Sequence, residues 1–185
     1  MFIQTETTPN PATLKFLPGR AVLEAGTRDF QDAAEAETES PLAARIFALD
    51  GVTGVFLGSD FVSVSKSEES EWQSLKPAVL GAIMEHFLSG ESAVLRGNGA
   101  GGMEDFDPED AEVVGIIKEL IETRVRPAVA NDGGDIIFRG FRGGTVFLKM
   151  QGACSGCPSS TATLQHGIEN LLKHFVPEVE AVQPV

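Results

Sequence analysis

Two cysteines stand together as Cys154-Ser155-Gly156-Cys157, with Pro158 directly after, and the chain has no others. Two thiols at this spacing can do dithiol redox chemistry, or they can ligate a soft metal or an iron–sulfur cluster. A structural zinc site or an iron–sulfur cluster takes four ligands. The pair therefore works alone as a redox dithiol, or it borrows two ligands. A second copy of the same chain is the obvious lender.

The elements around the pair decide what it can do. Residues 145–151 read as a strand and residues 159–174 as a helix, so the cysteines lie between a strand end and a helix start. Free N–H groups and the positive end of a helix dipole favour thiolate there. Gly152 and Gly156 allow a tight turn, and Pro158 suits the first helical position. Ser155, Ser159, Ser160 and Thr161 are small hydroxyls able to donate to sulfur. Four readings remain open on this chemistry: a cluster shared between two chains, a thioredoxin-like dithiol, a zinc site, or two unligated thiols. The dithiol normally sits at a βαβ start, whereas this pair follows a hairpin. For zinc, the other soft ligands are His86, His166 and His174. The step from Cys157 to His166 is short for a zinc finger, and a helix carries His174 away from the sulfurs. All three histidines are expected on the surface or on helix flanks.

The rest of the second half supports such a loop. Asp107-Pro108 opens a helix whose apolar stripe is expected at Val113, Ile116, Ile117, Leu120 and Ile121. Asn131-Asp132-Gly133-Gly134-Asp135 reads as a turn, its glycines supplying positive φ. A metal site on Asp132 and Asp135 is the weaker alternative. Residues 136–141 and 145–151 pair across Arg142-Gly143-Gly144. The helix after the cysteines turns Leu164, Ile168, Leu171 and Phe175 inward, and residues 179–182 form a short third strand. The expected order is α-β-β-α-β.

The first half reads as a second small α+β domain. Strands are expected at 2–7 and 13–17, joined by Thr8-Pro9-Asn10-Pro11, which reads as a structural turn rather than a recognition loop. A polar stretch without assigned elements follows at 24–39. Ser40-Pro41 opens a helix through Leu42, Ile46 and Leu49. Residues 51–58 and 61–66 form a hairpin whose second strand alternates Val62 and Val64 with Ser63 and Ser65, and so is half exposed. A last helix over 72–88 carries Leu75, Val79, Ile83 and Phe87 on one stripe, with Trp72 as packing. Ser70 and Gln73 resemble a capping box, although Pro77 moves the start toward Leu75. Gly-rich, acidic residues near 89–106 then separate two domains, 1–88 and 107–185. Gly97, Gly99 and Gly102 satisfy G-x-G-x-x-G there, but no strand precedes them and an acidic turn follows, so they are linker and not a dinucleotide site.

Composition narrows the class. The net charge is −13, and 18 acids against 7 bases fall in residues 1–109. Such a chain does not neutralise phosphates, so nucleic acid is not its partner. No run approaches the roughly 20 apolar residues of a membrane span. The N-terminus lacks the features of a signal or transit peptide. A reducing cytosol of bacterial type is the expected compartment, with a processed organellar protein as the other option. No Ser-His-Asp set or catalytic carboxylate pair stands out.

Asn131-Asp132-Gly133-Gly134-Asp135, residues 151–160, Thr163-Leu164 and Gly167-Ile168-Glu169 closely resemble the C-terminal domain of the NifU-like (Nfu) proteins. Residues 8–16 with Pro18-Gly19, Gly51-Val52-Thr53-Gly54-Val55-Phe56, and Trp72 with Leu75-Lys76-Pro77 resemble the accessory N-terminal domain of the longer members. The resemblance implies a non-enzymatic iron–sulfur scaffold or carrier. It implies a 4Fe–4S cluster held between two subunits of a homodimer by Cys154 and Cys157 of each. The cluster would arrive from upstream assembly proteins and pass to apo-proteins. The alternative is a monomeric thiol–disulfide oxidoreductase using the same pair.

Overall fold

The computed structural model describes residues 2–95, 104–155 and 158–185, with the backbone alone for 158–160. The expected linker centre and its G-x-G-x-x-G triplet fall outside these residues. The chain divides into two compact units, Met1–Ala100 and Gly101–Val185, and its fold class is α+β as the sequence indicates.

In the first unit, β1 (Gln4–Thr7) and β2 (Thr13–Leu17) pair antiparallel. The turn between them is structural: Ala12 N donates to Asn10 Oδ1 at 3.0 Å and Thr8 Oγ1 to Asn10 O at 2.8 Å. Next come β3 (Arg28–Phe30), α1 (Ala33–Glu39), α2 (Pro41–Phe47), β4 (Val52–Leu57), β5 (Val62–Lys66) and α3 (Trp72–Ser89). The antiparallel sheet runs β1-β2-β5-β4-β3. Phe16, Phe30, Val55, Leu57, Val62 and Val64 form its core face, against Leu42 and Ile46 of α2 and Leu75, Val79 and Ile83 of α3. Each such side chain contributes about 1.5–3 kcal/mol by leaving water.

Several expectations for this unit change. Residues 24–39 hold a strand and a helix. Phe30 anchors β3 in the core, and Asp32 caps α1 by accepting from Ala34 N at 2.8 Å. Ser63 is buried rather than exposed. Phe56 and Phe61, with ring centroids 5.9 Å apart, lie on that face, and Lys15 places its Nζ 4.7 Å from the Phe61 ring centroid. The helix at Ser40 is capped as expected, Ala43 N donating to Ser40 Oγ at 3.0 Å, but ends at Phe47. α3 starts at Trp72 with Pro77 inside it. No capping box forms, because Ser70 Oγ bonds Ser67 Oγ at 3.0 Å. Glu91–Leu95 fold back on this unit: Ala93 is buried and Leu95 N donates to Glu39 O at 2.7 Å.

His86 is the largest departure. Its side chain is fully buried on α3, and neither ring nitrogen has a hydrogen-bond partner among the described residues. The apolar surface of α3 is wider than a stripe through Ile83 and Phe87 suggests, and it includes His86. His166 and His174 are exposed, as expected.

The second unit begins with β6 (Asp105–Phe106), a helical turn at Pro108–Asp110 and α4 (Ala111–Leu120). A π-helical turn, Ile121–Val125, links α4 to α5 (Arg126–Asn131). It precedes Pro127, which has no N–H to give to the carbonyl four residues back, so the backbone widens there. The buried stripe is Val114, Ile117, Leu120, Ile121, Val125 and Val129. Ile116 is exposed, contrary to the expected stripe, and Val113 is only partly buried. β7 (Gly134–Arg142) and β8 (Thr145–Gly152) form the expected hairpin. α6 (Pro158–Phe175) buries Ile168 and Leu172, while Phe175, expected inward, is exposed. β9 (Ala181–Pro184) joins β8 in parallel, giving the sheet order β6-β7-β8-β9. β6, parallel to β7, is an edge strand too short for periodicity to show.

Burial holds the His86 pKa below its ordinary 6.5, with Arg45 pushing the same way and Glu91 opposing. The unfolded chain therefore takes up a proton as pH falls through about 6.5, before the folded chain does. Stability is full above that pH and is lost below it, at up to about 1.4 kcal/mol per pH unit, until the lower folded pKa is reached. Urea unfolding of the first unit, followed by Trp72 fluorescence at pH 7.5 and 5.5, should show this loss. His86→Leu should flatten the pH dependence. An unchanged slope in that variant would place the effect elsewhere.

Candidate functional site

β7 and β8 open at one end with Gly134 facing Gly152 and Asp135 facing Gln151. Gly152 has φ +64°, which a side chain resists, and it turns the chain out of the strand. The loop is then tied down through its backbone. Ala153 N donates to Gly133 O at 3.2 Å, and Ser155 N to Gly152 O at 3.1 Å. Thr161, in the first turns of α6, donates through Oγ1 to Cys154 O at 3.0 Å. Ser155 Oγ donates to Gly152 O at 2.9 Å. These two hydroxyls serve the backbone, rather than the sulfur as the sequence suggested.

Cys154 is 7% exposed and belongs to the core of the second unit. Its sulfur rests against bare backbone. A Cβ placed on Gly134 would lie 2.7 Å from Cys154 Sγ and 2.6 Å from Gln151 O. Sequence reasoning gave both adjacent glycines to a turn. Gly133 does have positive φ, at +80°, but Gly134 lies in the strand and is small because sulfur occupies the space. Gly156 and Cys157 lie outside the described residues. Among the described residues, no three His, Cys, Asp or Glu side chains gather as a metal site.

The expected stabilisation of thiolate is not met at Cys154. Burial pushes its pKa up to about 12, and Asp132 and Asp135 push the same way. Desolvation is the largest of these causes, and it disfavours the charged thiolate. A bound cation reverses this balance, since a coordinated thiol is deprotonated by the metal.

Asp135 is engaged by an arginine. It is 3% exposed and takes both arms of Arg126, Nε to Oδ1 at 2.8 Å and Nη2 to Oδ2 at 2.7 Å. Arg126 also donates to Glu122 at 2.7 Å. The guanidinium is held firmly charged by these carboxylates. This fork fastens the start of β7 to the helix before it. Arg126 was not singled out in the sequence, where nothing pairs it with Asp135. Gln151 Oε1 is buried and has no hydrogen-bond partner among the described residues.

The close approach at Gly134 makes a specific prediction. Gly134→Ala should displace the Cys154 side chain and cost about 1–3 kcal/mol through overpacking. In apo-protein, the buried wild-type thiol should alkylate slowly with iodoacetamide and the displaced one faster, measured by peptide mass mapping at Cys154. Equal rates and equal melting temperatures would mean that the sulfur does not depend on this contact.

Residues 3–90 match the family described as Scaffold protein Nfu/NifU N terminal, and residues 117–183 match the NifU-like domain. NifU-like protein 4, mitochondrial, of Arabidopsis thaliana is 50% identical over 99% of this chain and 65% of its own length. The human protein named NFU1 iron-sulfur cluster scaffold homolog, mitochondrial, is 50% identical over 100% of this chain and 72% of its own. This chain thus spans about two thirds of the length of these relatives. A solution structure of a NifU-like protein from Saccharomyces cerevisiae is 27% identical, covering 52% of this chain and 86% of that one with a TM-score of 0.47. Matched by both domain families, and half identical to named members from end to end, this chain belongs to the NifU-like (Nfu) family.

Proposed function

We propose that this chain is a carrier or scaffold for an iron–sulfur cluster and not an enzyme. Two copies hold one 4Fe–4S cluster through Cys154 and Cys157 of each, and pass it to apo-proteins. The observation that carries this reading is the placement of Cys154. Its sulfur is fixed at the end of a braced hairpin, with no third ligand beside it among the described residues. Two thiolates per chain satisfy a four-ligand cluster only when two chains meet. Names of relatives as iron–sulfur cluster scaffolds support the cargo, and their mitochondrial names favour an organelle over the cytosol. The dithiol alternative loses ground for a physical reason. An exchanging cysteine is exposed and low in pKa, and Cys154 is buried with its pKa raised.

Anaerobic reconstitution tests this. The loaded protein should be a dimer with about two irons and two sulfides per chain. Cys154→Ser or Cys157→Ser should keep the fold and lose the cluster, because a hydroxyl is no thiolate at neutral pH. A loaded monomer, or full iron in either variant, would contradict the reading.

The division into residues 1–88, a linker over 89–106 and a cluster-binding domain over 107–185 belongs to the same proposal. The two compact units and the Gly-rich composition between them support the division, while Glu91–Leu95, packed on the first unit, and β6, paired in the second, narrow the linker. Because β6 pairs with β7, a fragment beginning at Glu104 should fold and load more stably than one beginning at Asp107. Circular dichroism melts and iron counts of both fragments check this. An unfolded fragment from Glu104 would mean that the units share a core.

A further inference from the structure

The helices of the second unit supply their core residues to one face of its sheet, where they meet Ile136, Phe138, Phe141, Val146, Leu148 and Met150. Strand alternation turns Ile137, Phe147 and Lys149 to the other face. Ile137 lies directly opposite Lys149 in the register. The pairing slips between Phe138 and Gly140, so Arg139 is an extra residue at a bulge, beside Gly140 and opposite Phe147. All four side chains are partly exposed.

The charges on this face do not balance. The acids beside this face are already taken among the described residues: Asp135 by Arg126, and Asp105 and Asp107 by Arg142, whose Nε lies 2.9 Å from Asp105 Oδ2 and whose Nη1 lies 4.0 Å from Asp107 Oδ1. Arg139 and Lys149 have no ion-pair, ring or hydrogen-bond partner among the described residues, and of the described lysines and arginines only Lys76 is in the same condition. This is unusual in a chain of 27 acids and 14 bases, where carboxylates are plentiful. Two like charges on diagonal positions of a strand pair, about 7–8 Å apart, repel rather than stabilise. A neutral partner lying on Ile137 and Phe147 would also desolvate two unpaired cations, at a cost of several kcal/mol. Only a partner bringing negative charge avoids both penalties, and on an unmodified protein segment that charge is carboxylate.

We propose that this face docks an acidic, partly apolar segment of the apo-protein that receives the cluster. Carboxylates of that segment pair with Arg139 and Lys149, and an apolar side chain between them covers Ile137 and Phe147. The proposal rests on the carrier reading for the identity of the partner, but not for the chemistry of the surface. The location suits the role. β8 runs on from Lys149 to Gly152, three residues or about 10 Å at about 3.3 Å per residue, and the ligand loop begins directly after it. The charged face and the ligand loop thus sit on the same braced hairpin.

The surface can be tested without a cluster. Full-length apo-protein, labelled with nitrogen-15, is titrated with a peptide of alternating glutamate and leucine, whose same-face carboxylates repeat about every 6.8 Å. Amide shifts should concentrate at Ile137, Arg139, Phe147 and Lys149. Affinity should fall at least threefold between about 50 and 200 mM salt, as screening weakens surface pairs. It should fall tenfold or more in the double variant R139E/K149E, and also in R139Q/K149Q, which tests the same point if the reversal unfolds the chain. Shifts centred on Lys76 or the β9 edge, or equal affinity in the variants, would overturn the assignment. Self-association of the labelled chain through this face would also overturn it, since the occupant would then be a second copy. A second arm uses loaded protein and an apo-ferredoxin of the 4Fe–4S type. R139Q/K149Q should keep its iron and transfer at least fivefold more slowly, and an equal rate counts against the docking role. Failure of wild-type protein to load at all would instead strike the carrier reading and, with it, the named partner.

Discussion

The sulfur of Cys154 can occupy its place only because Gly134 has no side chain. A Cβ there would meet the sulfur at 2.7 Å and the Gln151 carbonyl at 2.6 Å. Around this contact the loop is tied by Ala153 N to Gly133, Ser155 N to Gly152 and Thr161 Oγ1 to the Cys154 carbonyl. The hydrogen bonds hold backbone to backbone or hydroxyl to backbone, and among the described residues none is made to the thiol. The thiol is therefore positioned without being chemically engaged. Desolvation pushes its pKa up, and in the proposed carrier a bound metal would supply what deprotonates it.

Both units use two layers, with helices on one face of a sheet, but they finish the other face differently. In the first unit Phe56, Phe61 and the stem of Lys15 lie over Ser63 and Thr13, and the Lys15 ammonium lies 3.6 Å from Glu6. That face closes on itself, and its cation has both a ring and an acid. In the second unit Ile137 and Phe147 stay partly exposed, and Arg139 and Lys149 beside them have neither among the described residues. Composition alone conceals this contrast, because the net charge of −13 averages over surfaces of opposite character.

Long periodic elements and turn residues made most of the fold legible. The strands at 13–17, the two hairpins, the Ser40 cap and the helix after the cysteines all carry strong local signals. What escaped was short or set by distant contact. β3 and β6 have three and two residues, too few for a period, and exist because β4 and β7 offer open edges. Ile116 and Phe175 turned outward because helix phase is set by packing, which sequence spacing does not register. His86 could not be told from a surface histidine, since its burial depends on how α3 packs across its width. At the site the cysteines were visible as a pair, but the reason for Gly134 and the fork from Arg126 to Asp135 needs three dimensions.

That fork links the helix to the loop through a chain of causes. Pro127 lacks the N–H that would complete a regular turn, and the π turn Ile121–Val125 absorbs the misfit. The widened turn delivers Arg126 beside the first residues of β7, where its guanidinium grips both oxygens of a carboxylate that is 3% exposed. Removing one partner of a buried pair costs on the order of 3–5 kcal/mol, and the 30% exposure of the Arg126 side chain trims that figure through solvent screening. The grip falls on Asp135, one residue from Gly134, so a shift of the helix end moves the backbone on which the sulfur rests. A proline seven residues before Gly134 thus helps to set where Cys154 can stand, through a helix irregularity and one ion pair.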